Sequence, residues 1–336
     1  MNVPVALDLP GYGVSVEHLV AVTRRAEASG IKGVWVAEYF RNSFVIAALL
    51  ARETSTIEVG TAVSWAFPRS PLVTALGALD LAEISGNRFR LGLGTQVKSA
   101  TERWHGLDYR QPVGRIVDCV TAIRAAMRSG EDSSVVHEGP FYTMDLTGYR
   151  RVTPRPEPVP ILLGAVGPAM LRAAVRVADG VIGHVLWSDA YFEGVVTPAL
   201  DAVDRPLRVI ASMLCSVSDD SATAKDEVRR TLGFYAATKS YKALLTEDGF
   251  SDEATAAHQA LLDGDYQRLA ASVSDRMLAT YALAGTPAQV HEQLEARKLA
   301  ADDLLVVPAY FGLEGPRLVE QMEGLVETFA GVASGS

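Results

Sequence analysis

The sequence predicts a single α/β domain spanning residues 1–336, folded as a (β/α)8 TIM barrel with two insertions. Three observations predict it. Eight short apolar runs alternate with helix-length amphipathic segments at close intervals, the pattern of parallel βαβ units. The length of 336 residues suits a barrel that carries insertions. Several apolar runs end in polar or aromatic residues, as a site at the carboxyl ends of barrel strands requires.

In chain order, residues 3–9 form the first strand, and Ser15 caps a helix over 16–28 that Gly30 stops. Residues 33–37 (GVWVA) form the second strand, ending in Glu38, Tyr39 and Phe40, with a helix over 44–52. The stretch 57–71 (IEVGTAVSWAFPRSP) begins as a strand buried on both faces, with Gly60 permitting close backbone approach. It ends as an aromatic loop, with Ser70 as N-cap and Pro71 at the first helical position of a helix over 72–84, closed by Gly86. Residues 88–94 (RFRLGLG) are the fourth strand, followed by helices over 99–104 and 113–127. Residues 131–160 interrupt the rhythm with a small β-like excursion and a stiff proline-rich return, TPRPEPVP. Strands five, six and seven fall at 161–164, 180–185 and 207–217, with helices over 169–177 and after Ser188. Residues 219–283 are helical and polar, far longer than one crossover needs, and read as an insertion that covers the site or contacts another subunit. A helix from Pro287 to 300, strand eight at 303–308 and a helix over 315–329 close the chain.

Hydrophobic residues make up 49% of the chain, enough for a large core, and the net charge of −9 argues against non-specific binding to nucleic acid or anionic membrane. Arg150, Arg151 and Arg155 form one weak local basic patch. Cys119 and Cys215 are isolated, which suits buried thiols in a reducing cytoplasm. The N-terminus lacks a basic region followed by a long apolar run, and no apolar run is of membrane-spanning length, so a cytoplasmic location is expected.

The strand ends bring Asp8, Glu38, Tyr39, Ser64, Trp65, Thr95, Gln96, Lys98, Gly167, His184, Trp187, Met213 and Tyr310 toward one face. This set is aromatic and poor in clustered charge, and it suits a flat conjugated ligand better than a metal. The histidines are scattered without HxH or HExxH, and GxSxG is absent, so no metal site or serine nucleophile is expected. GLGTQV has Val97 where a dinucleotide fingerprint needs its third glycine, so its glycines are read as letting backbone approach a ligand. Gly164-Ala165-Val166-Gly167 precedes a helix and either offers N–H groups to a phosphate or forms a tight turn. Glu38 either carries a proton, its pKa raised by burial, or pairs with Arg41 or Arg69.

Four segments, GVWVAE, EVGTAVSWAFPRSP, RFRLGLGTQVKSATERWHG and PILLGAVGPAMLRAAVRVADGVIGH, together with the late GTPAQVHEQLEARKLAADDLLVV, carry a family likeness. The chain resembles the bacterial luciferase-like superfamily of flavin- and deazaflavin-dependent oxidoreductases, closest to the branch using coenzyme F420. The resemblance implies a TIM barrel, a homodimer and a non-proline cis peptide at Ala62–Val63 against which the tricyclic ring rests. It places Thr95 and Gln96 near the ring and its polyol, and Ala165, Val166 and Gly167 at the phosphate. Asp8, Ser64, Lys98, Gly164 and His184 complete the expected cofactor set, and Trp65, Trp187 and Tyr310 the expected substrate pocket. Three sites depart from the family pattern: Tyr39 where many deazaflavin members have His, Arg41-Asn42-Ser43 where one branch often has His-Asp-Pro, and Val97 where some reductases carry Glu. The expected activity is hydride transfer from a reduced 5-deazaflavin to a small C=C, C=N or C=O substrate, with Glu38 or Tyr39 handling the proton. The alternatives are an FMN-dependent monooxygenase and a non-catalytic ligand-binding relative.

Overall fold

In the computed structural model, which describes residues 3–129, 135–149 and 158–331, eight parallel strands close into a barrel. They are β1 (Val5–Leu9), β2 (Gly33–Val36), β3 (Glu58–Thr61), β5 (Phe89–Gly94), β8 (Ile161–Ala165), β9 (Gly180–Gly183), β10 (Arg208–Val217) and β12 (Asp303–Pro308). Each pairs with the next in that order, and β12 pairs back onto β1 with Val5 opposite Leu304. Nearly every strand residue is buried, because helices cover the outside and side chains fill the inside.

Local hydrogen-bond chemistry sets the helix starts. The Ser15 hydroxyl accepts the His18 N–H, Asn42 accepts those of Phe44 and Val45, and Ser70 accepts that of Val73, ahead of Pro71. Gly86 adopts the left-handed conformation that ends helix Pro71–Ser85. Thr286 and Gln289 form a reciprocal capping box at the start of Pro287–Glu295.

After Thr61 the third strand kinks. A cis peptide joins Ala62 to Val63, and β4 (Ser64–Trp65) resumes pairing with β5. Gly60 faces Arg90 and Ser64 faces Leu93, so four steps on one strand oppose three on the other: one residue is extra, and the strand bulges. The glycines around the bulge serve protein packing, not ligand approach. A Cβ on Gly60 would sit 2.4 Å from the Trp35 ring, and one on Gly92 1.8 Å from the Thr61 carbonyl oxygen. Cβ atoms on Gly94 and Gly164 would lie 2.4 and 3.0 Å from Val63 methyls, so Val63 fills the space that these two glycines leave.

The amino-terminal end of the barrel is tied by paired charges. Arg208 reaches Glu58 at 2.8 Å and Asp303 at 2.5 Å, and Arg90 reaches Glu58 at 3.0 Å. That end reads as stability, and it leaves the carboxyl end for chemistry.

The first insertion contains an antiparallel hairpin, β6 (Val136–Glu138) with β7 (Thr143–Asp145). Asp118 anchors it by accepting from the Phe141 and Tyr142 amides at 2.8 and 2.9 Å, with His137 at 2.8 Å. Arg150, Arg151, Arg155 and most of the proline-rich return lie outside the described residues. The second insertion holds helices Ser221–Ala236, Lys242–Glu247, Ser251–Leu262, Tyr266–Ala271 and Asp275–Tyr281, with Leu232, Phe250, Leu269 and Met277 fully buried among them. Its expected end at 283 needs correction. Ala282–Gly285 is a further strand, β11, parallel to the upper half of β10. Leu214 faces both Val307 of β12 and Ala282, so β11 takes the flank that β9 leaves open after Ile210. The following helix stops at Glu295, short of 300. Arg297 beyond it turns onto the carbonyls of Ala279 and Thr280, at 2.6 and 2.9 Å. Among the described residues no helix is long and apolar enough to cross a membrane.

Candidate active site

At the carboxyl end of β1, Asp8 is buried and one of its carboxyl oxygens, Oδ1, has no hydrogen-bond partner. Burial raises its pKa from 3.8 to about 8, against a smaller opposing effect of the Leu9 amide. At pH 7 it is therefore mostly a neutral carboxylic acid. Around it stand Tyr310, from the loop after β12, and Tyr235, from the insertion helix Ser221–Ala236, each electrostatically influenced by Asp8. The two phenol oxygens are 3.4 Å apart. Burial raises both pKa values, and that of Tyr241 to about 12, so all three stay neutral.

His184 follows β9 and packs against Tyr241 and Tyr235, ring centroids 4.3 and 5.4 Å away. Burial lowers its pKa to about 3, so the imidazole is neutral. The Leu186 amide donates to Nδ1 at 3.3 Å, which places the ring proton on Nε2 and leaves that N–H to donate. After β5, Thr95 and Tyr109 hydroxyls lie 3.2 Å apart, and Tyr109 donates to the Gln96 carbonyl at 2.8 Å. Gln96 is held at φ 59° and its side-chain oxygen accepts the Val97 amide, leaving its NH2 as the free end.

Helix Pro168–Val177 starts at Gly167 with no side-chain cap. A Cβ at Gly167 would meet no heavy atom within 4 Å, so open space lies over that helix start. The preceding turn is held rigid. The Val166 carbonyl accepts Trp187 Nε1–H at 2.9 Å and Tyr191 O–H at 3.3 Å. Uncapped N–H groups with open space before them are able to receive an anion.

Several expected site residues take other roles. Glu38 is buried, but Arg69 grips both of its oxygens and the Trp65 amide donates to Oε2 at 2.8 Å. It is the paired carboxylate of the two readings, and it binds the end of β2 to the bulged loop. Trp187 is buried beneath Gly183 and holds the Val166 carbonyl, so it positions the turn. Ser64 is fully buried, and its hydroxyl lies 2.6 Å from that of Ser43. Lys98 is solvent-exposed and faces Glu102 at 3.8 Å on its own helix. Gly164 accommodates Val63. Tyr39 and Trp65 stand at the mouth in an aromatic cluster with Phe40 and Trp104, and burial raises the Tyr39 pKa.

Sequence reasoning passed over Tyr109, Tyr235 and Tyr241. The available signal was aromatic residues in an otherwise polar insertion, in GFYAATKSY.

The luciferase-like monooxygenase family model matches residues 4–303. The chain belongs to that family. It is 27% identical over 310 residues to a 5,10-methylenetetrahydromethanopterin reductase of Archaeoglobus fulgidus, covering 88% of this chain and 90% of the reductase. Its fold matches the coenzyme F420 dependent tetrahydromethanopterin reductase of Methanopyrus kandleri with a TM-score of 0.83, at 22% identity over 97% of this chain and 98% of that one. It also matches the oxygenating constituent of 3,6-diketocamphane monooxygenase from Pseudomonas putida, in complex with FMN, with a TM-score of 0.64. That match has 17% identity and covers 98% of each chain. The two structural matches establish the barrel, and the family is one of oxidoreductases.

Proposed function

We propose that this protein is a coenzyme F420-dependent oxidoreductase acting on a small electrophilic C=C, C=N or C=O substrate. The observation that carries the reading is Asp8, a buried acid with an unpartnered oxygen, neutral at pH 7, at the carboxyl end of the barrel. The reductase relatives named above favour the deazaflavin over FMN. When bound, the reduced deazaflavin supplies a hydride.

This chain's own residues supply the rest. The N–H groups at Val166 and Gly167 and the start of helix Pro168–Val177 bind the phosphate, on a turn that Trp187 and Tyr191 hold in place. The His184 Nε2–H and the Gln96 NH2 hold polar edges of the ring, and the Ala62–Val63 bulge sets its seat. Asp8 gives its proton to the substrate atom left electron-rich by hydride addition, and its raised pKa keeps that proton available at neutral pH. Tyr235, Tyr241 and Tyr310 stay neutral, exclude water and keep the surroundings of Asp8 apolar enough to hold the proton.

Titrating the purified protein with F420 and with FMN, each oxidised and reduced, tests the reading. Micromolar or tighter F420 binding and weaker FMN binding are expected. Tight FMN binding without F420 affinity would make the chain a flavin monooxygenase instead. Cofactor binding without turnover on any C=X substrate would leave a non-catalytic relative.

The working unit is proposed to be a homodimer. Helix Pro71–Ser85 exposes Val73 and Ile84 along with Asp80 and Glu83, and the neighbouring helix Ser43–Arg52 exposes Val45. A second copy is the cover proposed for these exposed apolar side chains. Light scattering on the eluting protein should read twice 35.9 kDa, and a monomer at micromolar concentration removes the dimer.

A further inference from the structure

A cavity of about 1020 Å³ opens over the barrel mouth, between the loops after β1, β2 and β12 and the helical insertion. It is larger than a short ketone or alcohol needs, and it is at the upper end for a drug-sized ligand. Its walls are aromatic. On the barrel side Tyr12 packs on Phe40 and Phe40 on Tyr39, at 4.7 and 4.5 Å between ring centroids. On the other side Phe234 and Phe311 stack at 4.6 Å and 16°, with the Tyr266 ring edge-on at 5.5 Å. Such walls suit a flat conjugated body.

Three charged side chains, Arg229, Arg230 and Asp226, break the aromatic pattern. Arg229 and Arg230, consecutive on helix Ser221–Ala236, both contribute to the lining. Neither has a demanding partner. Arg230 pairs with Asp226 one helical turn away, both half exposed, and Arg229 pairs with Asp275, whose side chain is 93% exposed. Exposed pairs of this kind are worth under about 1 kcal/mol, so a ligand oxyanion can replace the protein carboxylates. The chain as a whole carries −9, so an anion is drawn here only by local cations. The cavity also reaches the chemistry: Tyr310 lines it and is itself under the electrostatic influence of Asp8.

Resting on the oxidoreductase reading, we infer that the substrate is a flat aromatic or conjugated molecule ending in an oxyanion, carboxylate or phosphate. Its body lies between the two aromatic walls, and its anionic end meets Arg229 and Arg230. The reducible bond is then on the body, at the end facing Tyr310 and Asp8.

Calorimetry on the cofactor-free protein tests this without depending on redox turnover, so a failed cofactor titration and a failed cavity assignment stay distinguishable. The probes are 2-naphthoate, 2-naphthyl phosphate and the neutral 2-naphthamide. At low salt the better of the two anions should bind at least tenfold more tightly than the amide, and their ranking identifies the oxyanion. In the double variant Arg229→Gln, Arg230→Gln that preference should vanish while amide binding stays unchanged, which also shows that the aromatic walls remain folded. Equal binding of anions and amide, a preference that survives the double substitution, or no binding by any of the three overturns the inference.

Discussion

Replacing Asp8 by asparagine tests the acid at the centre of the proposed mechanism through stability as well as rate. The substitution keeps shape and removes ionisation. In the folded chain the Asp8 pKa is about 8, against 3.8 when unfolded, because burial disfavours the charge. Between those values the folded chain retains a proton that the unfolded chain has released. Unfolding free energy therefore falls as pH rises, by about 1.4 kcal/mol per unit in mid-range. The Asp8→Asn variant lacks this dependence, and the other titrating groups are common to both proteins. The difference in unfolding free energy, variant minus wild type, should grow by about 2.7 kcal/mol from pH 5 to pH 7. It should level off above about pH 8, where folded Asp8 has ionised as well. Urea denaturation of both proteins across that range measures it. Turnover should fall by roughly 10²–10⁴ in the variant, and the wild-type decline above about pH 8 should disappear. A stability difference that stays flat from pH 5 to 7 would show that Asp8 is ionised in the native protein, and the mechanism would lose its acid.

Two further substitutions probe the surroundings. Gly167→Val places methyls over the uncapped helix start, where backbone at φ −111° and open space admit a side chain, so cofactor affinity should drop at least tenfold with an unchanged thermal melt. Unaltered affinity by titration would move the phosphate elsewhere. Glu38→Gln removes a carboxylate from a largely buried pair with Arg69 and should cost about 3 kcal/mol in denaturant unfolding, with cofactor binding and turnover declining together. Loss of turnover alone, with stability and binding intact, would return Glu38 to proton handling.

Much of the barrel was legible because the signals for it are local. A Ser-x-x amide contact at Ser15 or Ser70, a proline at the first helical position and a glycine at the helix end act within about four residues. A strand buried on both faces shows as an apolar run whatever lies beside it. The extra strand Ala282–Gly285 carries no such mark. ALAG continues straight from helix Asp275–Tyr281, and its extended form follows from the edge that β9 leaves free along β10.

The sequence by itself determined the eight-strand rhythm, the caps and the set of residues at the strand ends, while the family resemblance implied the kink of the third strand. Tertiary structure decided what each of those residues does. Glu38 meets Arg69 across 31 positions because the bulged loop returns to the end of β2, and that contact turns an apparent acid into a clamp. Trp187 lies inward because Gly183 has no Cβ to exclude its ring, so a pocket residue becomes a brace. Asp8 was placed at the mouth by its position in strand one, but its protonation was set by burial in the closed structure, where Tyr310 after the last strand and Tyr235 from the insertion lie close enough to feel its charge. A pKa depends on solvent and charge within a few ångströms, and only the closed barrel with its insertion in place defines that volume.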